Sequence, residues 1–328
     1  MSASVPQSSP GASPALSVIA LVPDRFETIA RTVGHLAGQS IASEIELVIV
    51  TPASALAVPE PEVRAFGRWQ VVAVNGWGST SEARAAGIRA ATSPIVALVE
   101  DHCYPTPGWA QALVDAHRED WAGVGPVVLN ANPATLVSWA NLLIEYGPWL
   151  APLPRGAYAH IPGHNSSYKR DRLLEYGDRL PELLEAESVL QWDLGRRGHR
   201  FAIEPAARSR HENFALFRPS LQLRFHGGRL FAANRARTWG VARRLAFAAG
   251  APAIPLVRTW RARRHARRLK DPRRRRGLLL MTFLLLLVDG LGEAAGYAAG
   301  GGRAMARLTD LEFHRHRFVH PRDRALTS

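Results

Sequence analysis

Apolar and polar positions follow two different periods along the first hundred residues. "ALSVIALV" (15–22) and "IELVIV" (45–50) are short, β-branched apolar runs, and "DRFETIARTVGHLAGQS" between them carries apolar positions at helical spacing. Together they predict a βαβ unit. A third run, "WQVVAV" (69–74), leads through "NGWGSTS" into the helical "EARAAGIRAAT", and a fourth, "IVALV" (95–99), closes the series. Continuous apolar strands alternating with helices predict a parallel sheet covered on both faces. Such sheets bind ligands beyond the carboxyl ends of their strands. The fourth run ends at that kind of place, in Glu100, Asp101 and His102.

Beyond Gly108 the pattern is less regular. "GWAQALVDAHRED" predicts a helix, "AGVGPVVL" a strand, and "PATLVSWANLLIEYGPWL" a helix closed by Gly-Pro. "GAYAHIPGHNSSYKRD" reads as a polar loop, "ELLEAESVLQWDLGRRG" as a helix, "HRFAIEP" as a strand and "ARSRHENF" as a second polar loop. From Leu221 to about Arg268 the chain reads as helical, amphipathic and increasingly basic. The apolar segment 277–302 follows. A helix crosses a bilayer with about 20 mostly apolar residues. This segment is long enough, but only its first half is strongly hydrophobic. Asp289 and Glu293, four residues apart on one helical face, are expected to face protein or water. The segment predicts a transmembrane or a re-entrant, interfacial helix, with a buried soluble helix as the remaining alternative. "LAFAAGAPAIPLV" (245–257) is a candidate shallow hairpin partner.

Composition sharpens this picture at one place. The 328 residues are 47% hydrophobic and 21% charged, as in a globular protein, yet the net charge is +13. Residues 258–276 hold eleven Arg or Lys against Asp271, so one belt carries +10 of that excess. A basic belt grips nucleic acid or anionic lipid. The apolar segment behind it, and the lack of a nucleic-acid motif or interleaved aromatic platform, select the membrane. Arginines ahead of the segment place the catalytic body on the cytoplasmic side of an inner membrane, whereas Arg303, Arg307 and Arg315 behind it leave a hairpin open. "MSASVPQSSPGASPA" lacks the pattern of a signal peptide and reads as a disordered tail. Cys103, the single cysteine, excludes an internal disulfide and a cysteine metal cluster, and suits a reducing compartment. The organisation expected is a tail at 1–14, an α/β catalytic domain at 15–235, a basic membrane-interface region at 236–276, the apolar helix at 277–302 and a basic tail at 303–328.

The chemistry starts at the fourth strand end. Carboxylate oxygen with imidazole nitrogen suits manganese better than magnesium, which prefers all-oxygen shells. A solvated strand end with a surface Glu-Asp pair is the alternative. With the features in this order, residues 16 to 235 resemble the family-two glycosyltransferases, of a membrane-associated bacterial type. The resemblance implies the GT-A fold, a Rossmann-like nucleotide-diphospho-sugar transferase fold. Pro23, Asp24 and Arg25 match the loop after the first strand that holds the nucleotide. Ala83, Arg84, Ala85, Gly87 and Ile88 match the "ARNxGI" helix. Glu100, Asp101 and His102 fall on the metal motif, and Pro105, Pro107, Gly108 and Trp109 on its tail. On the acceptor side, Gly163, His164, Asn165, Lys169 and Arg170 resemble the "G-x-N-x-x-x-R-R" loop. Ala186 and Glu187 take the "E-D" base motif, with Leu194, Arg196, Arg197 and Gly198 behind.

What the resemblance implies follows residue by residue. Glu187 takes the place of the catalytic base, with Glu185 and Asp193 as rivals. Asp101, His102 and His211 take the metal. Pro23, Asp24, Arg25, Thr51, Arg84, Glu100 and Asp101 take the nucleotide sugar, while His164, Asn165, Trp192 and Asp193 face the acceptor. The implied activity is an inverting, metal-dependent transfer from a nucleotide sugar to a lipid-linked or envelope glycan. Its metal would be manganese. A carboxylate removes the acceptor proton as the hydroxyl attacks the anomeric carbon, and cations such as Arg84 or Arg210 assist the leaving diphosphate. Two departures stand out. Thr51 replaces the first acid of the usual Asp-Asp-Gly-Ser run, and Glu opens the metal motif. They motivate an alternative, a catalytically impaired pseudo-transferase acting as a membrane scaffold. The Gln-x-x-Arg-Trp signature of processive synthases is absent from the sequence, so single transfer is expected.

Overall fold

The computed structural model describes residues 7–8, 13–52, 58, 60–76, 80–185, 187–268, 272–313 and 315–323, without the side chains of 7, 8, 60, 187, 272–274 and 313. The expected tail therefore falls largely outside the described residues. Two compact units form, one from residues 1–129 and 151–210, the other from 130–150 and 211–328.

The first unit is built on the predicted βαβ series. Its elements run β1 (Gln7–Ser8), β2 (Leu16–Leu21), α1 (Glu27–Ala37), β3 (Ile45–Thr51), α2 (Glu60–Val63), β4 (Arg68–Ala73), α3 (Thr80–Ala90) and β5 (Ile95–Val99). β2 pairs in parallel with β3 and β5, and β3 with β4, so these strands present their carboxyl ends along one edge. Their apolar runs are buried on both faces: Leu16, Val18, Leu47, Ile49 and Ala97 form one core with Ile29, Val33 and Leu36 of α1. Glu46 is fully buried within this layer and accepts hydrogen bonds from Ser17 Oγ, Gln70 Nε2 and the Thr92 N–H, at 2.5, 2.9 and 2.7 Å. A buried charge survives only with such partners, and these tie β2, β3 and β4 together. Gly87 lets α3 lie close to the sheet, since a Cβ there would come within 2.6 Å of Ile19 and 2.9 Å of Val50.

The sheet continues past the parallel strands. β6 (Cys103–Pro105), α4 (Trp109–Ala116), β7 (Gly123–Asn130), α5 (Leu136–Tyr146), β8 (Gly156–Tyr158), β9 (Ser167–Lys169), α6 (Arg170–Leu174), α7 (Leu180–Leu184), α8 (Glu187–Arg196) and β10 (Phe201–His211) follow in the chain. The strand order is β1-β4-β3-β2-β5-β9-β7-β10-β6, with β8 on β10, ten strands in all. β9 runs antiparallel to β5 and β7, so the residues just before it return to the edge where β5 ends. Backbone bonds from Ala122 to Arg200 and from Ala131 to His211 join both ends of β7 and β10, which makes this pair parallel. Three expectations change here. The stretch read as the loop 156–171 contains β8, β9 and the start of α6, the predicted helix over 182–198 is broken between α7 and α8, and the second polar loop is the end of β10.

The second unit is helical. α5 belongs to it, with α9 (Phe217–Arg235), α10 (Val241–Gly250), α11 (Ile254–Ala266), α12 (Pro272–Ala299) and α13 (Ala304–Phe313). α12 packs against α5, α9, α10 and α11. Glycine brings the backbones of α9 and α12 together: a Cβ on Gly228 would stand 2.2 Å from the Asp289 carbonyl oxygen, and one on Gly292 2.1 Å from that of Phe225. As expected of carboxylates in an apolar helix, Asp289 and Glu293 face protein, both buried and both paired with Arg258. Residues Arg275–Ala299 make a helix long and apolar enough to cross a membrane. The mixed α/β sheet and the long apolar C-terminal helix bear out the expected α/β class with an apolar segment after it.

Candidate active site

The turn after β5 is fixed from α1. Thr32, fully buried there, donates its hydroxyl to the carbonyl oxygens of Glu100 and Asp101, at 3.2 and 2.9 Å. The side chains that follow form a chain of contacts. Asp101 Oδ1 lies 2.6 Å from His102 Nδ1, and His102 Nε2 lies 3.4 Å from Glu100 Oε2. On its other side Glu100 Oε1 is 3.3 Å from His164 Nε2, and His164 Nδ1 is 3.0 Å from Arg84 Nη2. A guanidinium only donates, so His164 Nδ1 accepts and its proton sits on Nε2, towards Glu100. An ionised carboxylate only accepts, so His102 donates from Nδ1 to Asp101, which leaves Nε2 as the ring nitrogen able to offer a lone pair.

His211 ends β10 and is buried. Its Nδ1 lies 2.8 Å from Asn213 Oδ1. The Asn213 amide cannot turn over, because its Nδ2 donates to the carbonyl oxygen of His211 and to Asn130 Oδ1, at 2.9 and 3.1 Å. The His211 proton is therefore on Nδ1, and its lone pair on Nε2. Asn132 and Ser138 complete the frame: the Asn213 N–H donates to Asn132 Oδ1 at 2.8 Å, and Ser138 Oγ donates to Asn130 and Asn132. The ring of His211 packs on Tyr146, with centroids 4.6 Å apart.

Glu100, His102 and His211 each offer a ligand atom, and these atoms lie within 4.8 Å of one another. One carboxylate and two imidazoles, each with its other ring nitrogen held by a partner, fit a divalent ion of borderline character. Asp101, expected among the ligands, meets His102 Nδ1 through its Oδ1.

The remaining expected residues sit as follows. Pro23, Asp24 and Arg25 form the loop after β2, with Asp24 and Arg25 exposed and 3.7 Å apart. Thr51 is buried at the end of β3. Asn165 takes a left-handed backbone at φ 59°, tolerated best by Asn and Gly, and its N–H donates to the Leu98 carbonyl at 2.6 Å. Its side-chain amide is buried with no hydrogen-bond partner among the described residues. Ala186, and the side chain of Glu187 at the start of α8, lie outside the described residues. Trp192 is half exposed on α8 beside His160. Asp193 accepts from Tyr176 at 2.7 Å, Arg196 at 2.8 Å and Arg197 at 2.9 Å. Arg196 first and then Tyr176 hold its carboxyl down to about 2. Burial, and then Asp193, push the Tyr176 hydroxyl up.

The family model described as glycosyl transferase family 2 matches residues 17–176. This stretch is similar to the family 2 glycosyltransferases. The match runs from β2 to just past α6, a little under half of the chain, and takes in Glu100, His102 and His164. A similar solved structure is the crystal structure of GalNAc-T7 with UDP, GalNAc and Mn2+, at 14% identity and a TM-score of 0.45, covering 60% of this chain and 43% of that one. The chain thus spans under half of that structure's length. No curated protein matches the chain.

Several motif positions in the matched stretch do structural work. Gly108 has φ 84° ahead of α4, and Trp109 is wholly buried. Arg170 donates to the carbonyl oxygens of Ile88 and Arg89, closing the end of α3. Sequence reasoning did not single out Thr32 or the Asn130, Asn132 and Asn213 frame. The only signal was polar side chains at the ends of apolar runs.

Proposed function

We propose that this protein is an inverting, non-processive glycosyltransferase. It moves a sugar from a nucleotide-sugar donor to a lipid-linked or envelope glycan at the cytoplasmic face of the inner membrane. The observation that carries the reading is the Glu100, His102 and His211 cluster, at the carboxyl end of the strand that closes the parallel series in a family 2 domain. Two imidazole donors favour manganese over magnesium. The ion, when bound, offsets the negative charge that develops on the leaving diphosphate. Around it, Pro23, Asp24, Arg25, Thr51 and Arg84 hold the nucleotide sugar, with Arg84 kept in place by His164. Glu187 removes the proton of the acceptor hydroxyl. Asn165, Trp192 and His164 line the acceptor side, and Asp193, engaged by two arginines, orients α8. Membrane placement is supported by the basic belt and the apolar α12.

The test is calorimetric titration of the full chain with a panel of nucleoside diphosphates, with and without manganese, together with His102→Ala and Glu187→Gln. Metal-dependent binding of one nucleotide is expected, weakened in H102A, while E187Q keeps binding and loses turnover. Full turnover by E187Q overturns the base assignment. No binding by the wild type under any condition transfers the weight to a scaffold that has lost its donor site.

A further inference from the structure

The helical unit contains a cavity of about 580 Å³ that has no part in the site above. It falls within the range of roughly 300–1,000 Å³ typical of ligand pockets. α9, α10, α11 and α12 line it and leave it open on one side, and Phe231, Phe247, Ile254, Val257 and Tyr297 supply its apolar walls. Three guanidiniums reach it, from Arg235, Arg258 and Arg261. Their states differ. Arg258 is committed to Asp289 and Glu293. Arg235 donates to the Tyr297 hydroxyl at 3.2 Å and lies 5.1 Å from the Phe247 ring centre, while neither Arg235 nor Arg261 makes an ion pair among the described residues. Glu293 lines the cavity too, paired with Arg258 and within electrostatic reach of Arg235, so three guanidiniums face one lining carboxylate. Apolar walls with this cationic excess match an amphiphile carrying an anionic head, since guanidinium groups bind phosphate oxygens in pairs.

The surroundings select the source of that amphiphile. Phe231 and Val257 line the cavity and are also about half exposed, at 55% and 45%. On α11 the lining residues Ile254, Val257, Arg258 and Arg261 share one face, and the neighbouring strip carries Leu256 and Trp260, 63% and 65% exposed. Large apolar side chains left exposed beside a pocket mark a surface that meets another apolar phase. The belt of arginines around them complements an anionic bilayer, not a neutral one. We propose that this cavity takes an acyl chain of an anionic membrane lipid, with the lipid phosphate on Arg235 and Arg261. This goes beyond the membrane-surface reading, which needs only the belt, and it assigns the lipid no part in the transfer reaction.

Native mass spectrometry of the full chain released from detergent, with phosphatidylglycerol or phosphatidylcholine added, tests it. The wild type is expected to retain phosphatidylglycerol in preference to phosphatidylcholine. Ala246→Trp and Gly250→Leu, which fill the cavity from α10, and Arg261→Glu, which reverses the charge at its mouth, should each weaken retention about tenfold or more, a difference of one decade in Kd. Flotation of A246W and G250L with phosphatidylglycerol vesicles should be unchanged, because the belt is intact. If both cavity-filling variants keep the wild-type fold by circular dichroism and retain lipid as the wild type does, the proposal falls. It falls equally if inorganic phosphate displaces the lipid, because the site would then be one for a free anion. Both readouts need no donor sugar, so failure here is separate from failure of the transferase reading.

Discussion

A histidine can serve a cation only with its lone pair aimed the right way, and in this chain other residues decide that aim. Asp101 takes the Nδ1 proton of His102, and Asn213 takes that of His211. Asn213 is itself locked, through Asn130 and Asn132, across more than eighty residues of sequence. Replacing Asn213 by Leu removes the acceptor at Nδ1 and leaves the shape of the site nearly unchanged. Loss of such an outer partner typically weakens metal affinity roughly 10–100-fold. Manganese titration of N213L should show that loss, with thermal stability recorded alongside; unchanged affinity would mean that His211 is oriented by packing on Tyr146 alone. At this scale the sequence was legible where the chemistry is local. Glu100, Asp101 and His102 are neighbours and stand at a strand end, so their role could be read directly. Asn213 has nothing beside it that marks it, because its partners arrive only when β7 and β10 meet.

Elements were legible where one period held over a whole segment. β2, β3, β4 and β5 lie within a residue or so of their apolar runs, since strands buried in a parallel sheet are apolar at most positions, with Ser17, Glu46 and Gln70 satisfying one another as the exception. β10 was read as ending at Pro205 because "ARSRHENF" is polar in composition. Its burial nevertheless alternates, with Ala207, Ser209 and His211 buried and Arg208 and Arg210 exposed. Period, not polarity, was the signal there. The contact between α4 and β9 supports a prediction about pH. His117, just past the end of α4, is buried, with Nε2 2.9 Å from Ser167 Oγ. Burial, and then the charge of Lys169, hold its pKa down at about 4 rather than 6.5. Between those values the unfolded chain binds the proton and the folded chain does not. The stability it contributes is therefore complete above pH 6.5 and lost as pH falls towards 4, by on the order of 3 kcal/mol. Denaturant melts between pH 7 and 4 should show this decline, and His117→Gln should flatten it; an equal decline in the variant would assign it to other groups.

For the molecule as a whole, the membrane placement proposed above has to accommodate an apolar helix and an arginine belt together. α12 is long enough to cross, and Leu280, Leu284, Leu287 and Leu291 are exposed along it at intervals of four, three and four residues, which is one helical stripe. Yet α12 does not stand alone. It packs against α11, whose Arg261, Arg263 and Arg264 are exposed, and against α10 with exposed Arg243. Carrying those guanidiniums to mid-bilayer depth with α12 costs a few kcal/mol each on insertion scales, and more than the leucine stripe recovers. At the headgroup level the same arginines contribute roughly 1 kcal/mol apiece while the leucines reach the acyl boundary. The bundle is therefore expected to lie in the interface, with both ends of α12 on the cytoplasmic side. Cys103 is buried and is the only cysteine, so single cysteines at Arg276 and Arg303, both exposed, can be read without background. In inverted membrane vesicles an impermeant maleimide should label Arg276→Cys and Arg303→Cys alike, and in right-side-out vesicles neither. Labelling of the two positions from opposite sides would instead make α12 a spanning helix and require the arginines of α11 to separate from it in the bilayer.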